Sequence, residues 1–370
     1  MARVSPRTAL IGGGLGALGV AGAAFAAQRS LSRAIAADPT SARLREPARG
    51  EPVTVRSADG TEIHVERFGE PDGGPVLVLI HGWTETIGYW TPVIETLRAE
   101  GVTIVAYDLR GHGDSARASS DYAIPRFGED LEAVLAECVP AGGAVLAGHS
   151  LGAMSIASWA ESFDVPGRAG AAALMNTGVG GLIAESLLVP LPAFAHALRG
   201  PIAVRGFLGS RAPLPRYSTP ISHAIIHYAA FGPDASPAMI AFYERMLLAT
   251  PPDVRADVGI AMSEMDLYSA LANLTVPTAV VAGARDRLTP PSHARRIAEM
   301  LPDLHSHTVL DGVGHMGPVE APQEIAAKLV ELIALARERT GGPFRGSPPP
   351  PVRESAPGSR RPAPASPSPG

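Results

Sequence analysis

The sequence predicts an α/β fold: a mostly parallel sheet of eight strands with helices on both faces and a helical lid inserted over one end. Three observations carry that expectation. From about Gly50 onward, short aliphatic or β-branched runs alternate with stretches of helical period, the signature of a sheet covered by crossover helices. One interval, residues 178 to 270, is far longer than the others and too long for a structureless connection, so it must fold as an insert. At 370 residues the chain can bury a sizeable core.

The elements follow in order. Near the N-terminus, Gly14-Leu15-Gly16-Ala17-Leu18-Gly19 has the spacing of a dinucleotide-binding loop. That reading requires a second strand ending in an acid about 20 residues on, and the chain after Ala27 holds no such strand. Arg3 and Arg7 instead open a cationic start, Thr8 to Ala27 carries no charge, and Ala24-Phe25-Ala26 offers small residues for cleavage. The uncharged run has the length of a membrane-spanning helix. Arg29 and Arg33 just beyond it resist export, and Gly12 and Gly16 form a helix-packing pair. Residues 1–33 are therefore expected to be a membrane anchor through residues 8–27, or a signal segment that leaves the protein secreted if cleaved. Residues 34–50 read as a linker.

The runs PVTV and EIHVERF, split by the turn Ser57-Ala58-Asp59-Gly60, read as an antiparallel hairpin. PVLVLI (75–80), VTIVAY (102–107), GAVLAG (143–148), AAALMN (171–176), PTAVVAG (277–283) and SHTVL (306–310) read as successive parallel strands. Between VTIVAY and GAVLAG lies FGEDLEAVLAECV, where Leu131, Val134, Leu135 and Val139 recur on one helical face. Cys138, the only cysteine, reads as a packed residue of that helix, and no internal disulfide can form. The insert contains the helical stretch SPAMIAFYERMLLAT, and the final helix closes on Gly341. The domain thus spans 51–340, and the proline-rich tail 341–370 is expected to be disordered. With 46% hydrophobic and 18% charged residues and a net charge of -5, the chain has no electrostatic footprint for nucleic acid.

Chemistry concentrates where strands end. GAVLAG runs into Gly148-His149-Ser150-Leu151-Gly152 and then a helical pattern, which is G-x-S-x-G in strand-turn-helix context. Such a turn exposes the serine Oγ at a helix N-terminus, where the Leu151 N–H is unpaired and suits an oxyanion. A serine nucleophile needs a base, and the base an orienting acid. His315, in the glycine loop DGVGHMGP after the last strand, hangs over the same sheet edge. Asp286 follows the strand PTAVVAG, again at a C-terminal end. Asn176 occupies the alternative acid position and cannot hold the charge; Asp311 reads as a turn residue. His305 and His307 lack a third ligand at metal spacing, and His196, His223 and His227 fall in the insert. No metal or cofactor is called for. The second oxyanion donor is assigned to the Trp83 N–H, in the loop after PVLVLI. His81, His149 and Met316 flank the site as candidate pocket residues, and Leu187, Phe194, Phe207, Ile226, Phe242 and Met246 supply an apolar insert face.

Together, His81-Gly82-Trp83, AYDLRGHGDS (106–115), GHSLG (148–152), GARDRLTP (283–290) and GVGHMGPVEAP (312–322) resemble the α/β-hydrolase superfamily over roughly Glu51 to Leu335. The order Ser150, Asp286, His315 is the family order. The resemblance implies the α/β-hydrolase fold, makes Asp108, Arg110 and Asp114 structural, and leaves Ala153 as a departure where relatives often carry glycine. Relatives that open epoxides or remove halide use an aspartate at the elbow, so Ser150 implies acyl chemistry. The expected activity is carboxylic ester hydrolysis on a small, hydrophobic substrate. Its alternatives are cofactor-free haloperoxidase or perhydrolase chemistry, acyl transfer, and a non-catalytic scaffold.

Overall fold

Strand runs without solvent-facing positions form the centre of the sheet. Leu77–Ile80, Ile104–Tyr107, Ala144–His149, Ala169–Met175 and Thr278–Gly283 are buried along their whole length, as parallel strands covered on both faces must be. The computed structural model describes residues 6–69, 73–118, 120–188, 208–214 and 217–340, with side chains in its first helix described from Gly22 onward. The predicted tail 341–370, and His196, Phe194 and Phe207 of the insert, lie outside the described residues.

Eight strands, β1 (Glu51–Arg56), β2 (Glu62–Phe68), β3 (Leu77–Ile80), β4 (Ile104–Tyr107), β5 (Ala144–His149), β6 (Ala169–Met175), β7 (Thr278–Gly283) and β8 (Leu304–Leu310), form one sheet in the order β1-β2-β4-β3-β5-β6-β7-β8. β1 pairs with β2, and β2 with β4, antiparallel; every later pairing is parallel. The chain leaves β3 toward one edge and returns to β5 on the other side. β3 and β5 therefore flank the switch point, where open α/β sheets place their ligand crevices.

The helices are α1 (Pro6–Ala37), α2 (Thr91–Ala99), α3 (Ile124–Cys138), α4 (Leu151–Ser162), α5 (Pro220–Ala230), α6 (Pro237–Ala249), α7 (Pro252–Glu264), α8 (Pro291–Met300) and α9 (Pro322–Thr340), with one-turn helices left unnumbered. One apolar core joins the sheet to α3, α4 and α8, and a second joins it to α2 and α9. The predicted face of α3 is buried, with Leu131, Val134 and Leu135 in the first core. The small residues of β6 let α9 approach closely: a Cβ on Gly170 would lie 2.9 Å from Ala336 Cβ.

Between β6 and β7 the long connection carries α5, α6 and α7. Each starts on proline, whose fixed φ suits the first helical turn. Thr219 caps α5 through a reciprocal pair of bonds with Ser222, and Ser236 caps α6 by accepting from Met239 N–H.

The N-terminal segment departs from expectation. α1 runs past the predicted boundary at Ala27, through Gln28, Arg29 and Arg33, to Ala37. Gln28 Nε2 donates to Ser218 O at 3.0 Å, and Asp38 accepts the Ala238 N–H at 3.1 Å at the start of α6. Among the described residues no helix is long and apolar enough to cross a membrane. The expectations of a membrane anchor through residues 8–27, of a signal segment, and of the localisation drawn from them are therefore corrected, the side chains of residues 8–21 lying outside those described. An uncharged run read alone does not reveal that its helix continues into polar residues with partners in the insert. Residues 38–50 then lie against the body: Leu44 is buried, Ala48 N–H donates to Thr91 Oγ1 at 3.0 Å, and Gly50 N–H donates to Glu66 Oε2 at 2.7 Å.

Candidate active site

β5 ends in a forced turn. Ser150 sits at φ 50°, ψ -113°, a conformation that a residue with a side chain rarely adopts. It is held there by its own N–H donating to Met175 O at 2.9 Å and by Thr177 Oγ1 donating to its carbonyl at 2.9 Å. The glycines on either side are steric necessities. A Cβ on Gly148 would strike the backbone of Ala153, and one on Gly152 would strike the carbonyls of Ile80 and His81. The elbow is thus pressed against the loop after β3. Leu151 opens α4, so its N–H has no partner within the helix and points out of the N-terminus.

His315 follows β8 in the glycine loop, and Asp286 follows β7. His315 Nδ1 lies 2.8 Å from Asp286 Oδ2, which assigns the proton to Nδ1 and leaves Nε2 as the basic nitrogen. Asp286 is almost wholly buried and collects further donors: Leu288 N–H at 2.9 Å and Thr289 N–H at 2.8 Å on Oδ1, Thr289 Oγ1 at 2.8 Å and Asn176 Nδ2 at 3.3 Å on Oδ2. Burial by itself would raise the Asp286 pKa, but His315 and the Thr289 donors outweigh it and hold the carboxyl below its ordinary value. Among the described residues no hydrogen bond joins Ser150 Oγ to His315; in unliganded sites such bonds are often long and tighten on substrate binding.

The loop after β3 supplies Trp83, whose indole Nε1 donates to Arg255 O at 3.1 Å. Thr84 takes φ 62°, and its Oγ1 lies 3.0 Å from Tyr243 OH, so the insert touches this loop directly. Of the candidate pocket residues, His81, His149 and Met316 are all buried. His81 Nε2 accepts the Leu109 N–H at 3.0 Å and Nδ1 faces Gly82 O at 2.8 Å, so the ring shapes its loop. Burial, with His112 and His149 nearby, holds its pKa well below the ordinary imidazole value. Met316 packs in the second core.

Several residues of this neighbourhood escape a reading by sequence. Asn176, at φ 46°, donates Nδ2 to Gly314 O at 3.0 Å as well as to Asp286. Glu320 accepts Gly232 N–H at 2.7 Å and Gly314 N–H at 3.0 Å, tying the insert to the His315 loop. Glu85, buried beside Gly82, accepts the Gly82 N–H and faces His149 Nδ1 at 3.0 Å. Burial opposes charge on His149, yet Glu85 and the His315 carbonyl outweigh it and raise its pKa. The available signal was a lone acid in the apolar loop His81-Gly82-Trp83-Thr84-Glu85. The grouping of His64, Asp108 and Asp114 is the one metal-like cluster among the described residues, but Asp108 already accepts Ile87 and Asp114 N–H groups and Arg49 lies against Glu66 and Asp114.

Comparison with known proteins agrees with this architecture. The sequence profile described as the Alpha/beta hydrolase family matches residues 77–328. A pimeloyl-[acyl-carrier protein] methyl ester esterase of Xylella fastidiosa is 28% identical over 267 residues, covering 70% of this chain and 96% of that protein. A non-heme chloroperoxidase of Streptomyces lividans is 34% identical over 123 residues, 33% of this chain and 44% of that protein. Among solved structures, an esterase from a Rhodococcus species superimposes with a TM-score of 0.62 at 25% identity, covering 77% of this chain and 98% of the other.

Proposed function

The chain belongs to the alpha/beta hydrolase family, and from that premise we propose that it is a serine hydrolase cleaving a carboxylic ester with a hydrophobic acyl or alcohol part. The observation that carries the reading is the buried Asp286–His315 pair, 2.8 Å apart, beside a serine held at φ 50°. Similarity to the Xylella fastidiosa esterase supports the reaction class. In the proposed cycle His315 Nε2 takes the Ser150 proton as Oγ attacks the ester carbonyl, and the N–H groups of Leu151 and Trp83 hold the oxyanion. His315 then protonates the leaving alcohol, and water repeats the steps on the acyl-enzyme. Asp286 keeps the imidazole in the Nδ1–H form and stabilises its cation. One oxyanion donor typically contributes about 2.7 to 4 kcal/mol to the transition state.

The apolar preference rests on the insert, where Ile226 and Phe242 turn inward and Tyr243 reaches the Thr84 loop. Similarity to the chloroperoxidase favours a second reading at the same serine, in which hydrogen peroxide replaces water on the acyl-enzyme and a peracid leaves. Peracid formation with added peroxide separates the two. Ser150→Ala is expected to abolish ester turnover and labelling by a serine-directed phosphonate. Persistence of both would refute the proposal.

A further inference from the structure

We propose that Glu85 and His149 form a second buried acid–histidine pair that positions His315 by gripping its backbone carbonyl; the inference rests on the reading of His315 as the base. His149 immediately precedes Ser150, and its ring is wholly buried. Nε2 lies 2.9 Å from His315 O, and Nδ1 lies 3.0 Å from Glu85 Oε2. A carbonyl oxygen only accepts, so Nε2 must carry a proton. Glu85 Oε2 also receives the Gly82 N–H. Two lone pairs cannot face each other at that separation, so a proton lies between Nδ1 and Oε2 as well. Whichever of those two atoms holds it, the ring has no alternative tautomer, and Nε2–H donates to His315 O.

The ring cannot swing out of this arrangement. Tyr89 stacks on it with centroids 4.7 Å apart and planes at 29°, and the His315 ring lies 5.0 Å away on another side. One unit therefore links three strand ends: Gly82 after β3, His149 before the elbow, and His315 after β8. The His315 main chain is held at both its polar groups, since its N–H donates to Ala230 O at 2.7 Å. Asp286 sets the direction of the imidazole, and the Glu85–His149 pair sets where its backbone stands relative to Ser150. A base displaced by about 1 Å loses on the order of 10²-fold in rate. Because the His149 ring is buried and both its nitrogens are engaged by the protein, the pair works through His315 and not on substrate.

The test uses the full-length protein, Glu85→Gln and His149→Phe. Glutamine removes the carboxylate charge that lets both nitrogens of the buried His149 ring carry protons; phenylalanine keeps a ring on Tyr89 without the donor. With a p-nitrophenyl ester, each variant is expected to lose about 10- to 100-fold in kcat while KM stays within about twofold and phosphonate labelling of Ser150 slows in parallel. In wild-type protein labelled with ¹⁵N-histidine, the His149 Nε2–H is expected to be protonated and slow to exchange near pH 8. If wild type neither turns over ester nor takes up phosphonate, the serine-hydrolase reading falls and this inference with it. If wild type does both and the variants match its kcat within about twofold, the positioning role is overturned while the parent reading stands. Should either variant fail to fold, the wild-type spectrum decides: an unprotonated Nε2 overturns the inference, and a protected Nε2–H supports it.

Discussion

The C-terminal edge of the sheet and the helical insert above it are built on different principles. At the edge, geometry is over-determined: Asp286 collects donors from Leu288, Thr289, Asn176 and His315, and Ser150 is held at a positive φ by Met175 and Thr177. In the insert, geometry is local. Its helices begin on capping residues and proline, and α5 leaves Ile221 and Ile225 more than half exposed, at 75% and 57%. The two regions meet through a few links: Ala230 O with His315 N–H, Gly232 N–H with Glu320, Tyr243 with Thr84, and Arg255 O with Trp83. Edge substitutions should therefore change the rate of the chemical step. Insert substitutions should change substrate affinity or stability.

The largest test of that division is Asp286→Asn. An amide cannot orient the Nδ1–H form of His315 or stabilise its cation, so kcat is expected to fall by about 10⁴-fold with KM little changed. Steady-state kinetics would read it, and a loss confined to KM would blur the distinction between edge and insert.

A smaller effect is expected at the link. Burial raises the Glu320 carboxyl from 4.5 to about 7 against the opposing backbone donors of Gly232, Gly314 and Met316. The folded protein thus binds this proton more tightly than the unfolded chain. The stability Glu320 contributes is complete below about pH 4.5 and is lost as pH rises through about 7. Urea unfolding from pH 5 to 8 should show a decline of about 1 to 3 kcal/mol that Glu320→Gln lacks. Equal slopes in both proteins would detach Glu320 from this role.

Tyr243→Phe should be the mildest. It removes the hydroxyl at Thr84 and nothing at the edge, so KM should rise about threefold at constant kcat, the scale of one neutral hydrogen bond near 0.5 to 1.5 kcal/mol. A fall in kcat beyond that would show that the insert reaches into the chemical step.

Much of this edge was legible in the sequence because its signals are short-ranged. A serine framed by glycines two residues to either side, after a strand and before a helix, describes its own backbone; Asp286 and His315 need only sit after identifiable strands. The partners that hold these residues are distant in the chain. Glu85 and His149 are 64 positions apart, and Asn176 and Asp286 are 110 apart. No local pattern marks them as neighbours. The N-terminal helix shows the same limit, since its uncharged run suggested a membrane while Gln28 finds Ser218 across 190 positions.

Sequence by itself determined the sheet, the turn at Ser150 and the chain order of the acid and histidine, because strand period, glycine sterics and helix termini act over a few residues. Tertiary structure alone decided that Glu85 pairs with His149, that His149 grips His315, that Asn176 braces Asp286, and that the first helix meets the insert. Those choices depend on which strand ends the sheet order brings together, and buried polar groups then take whatever partners that order leaves within reach.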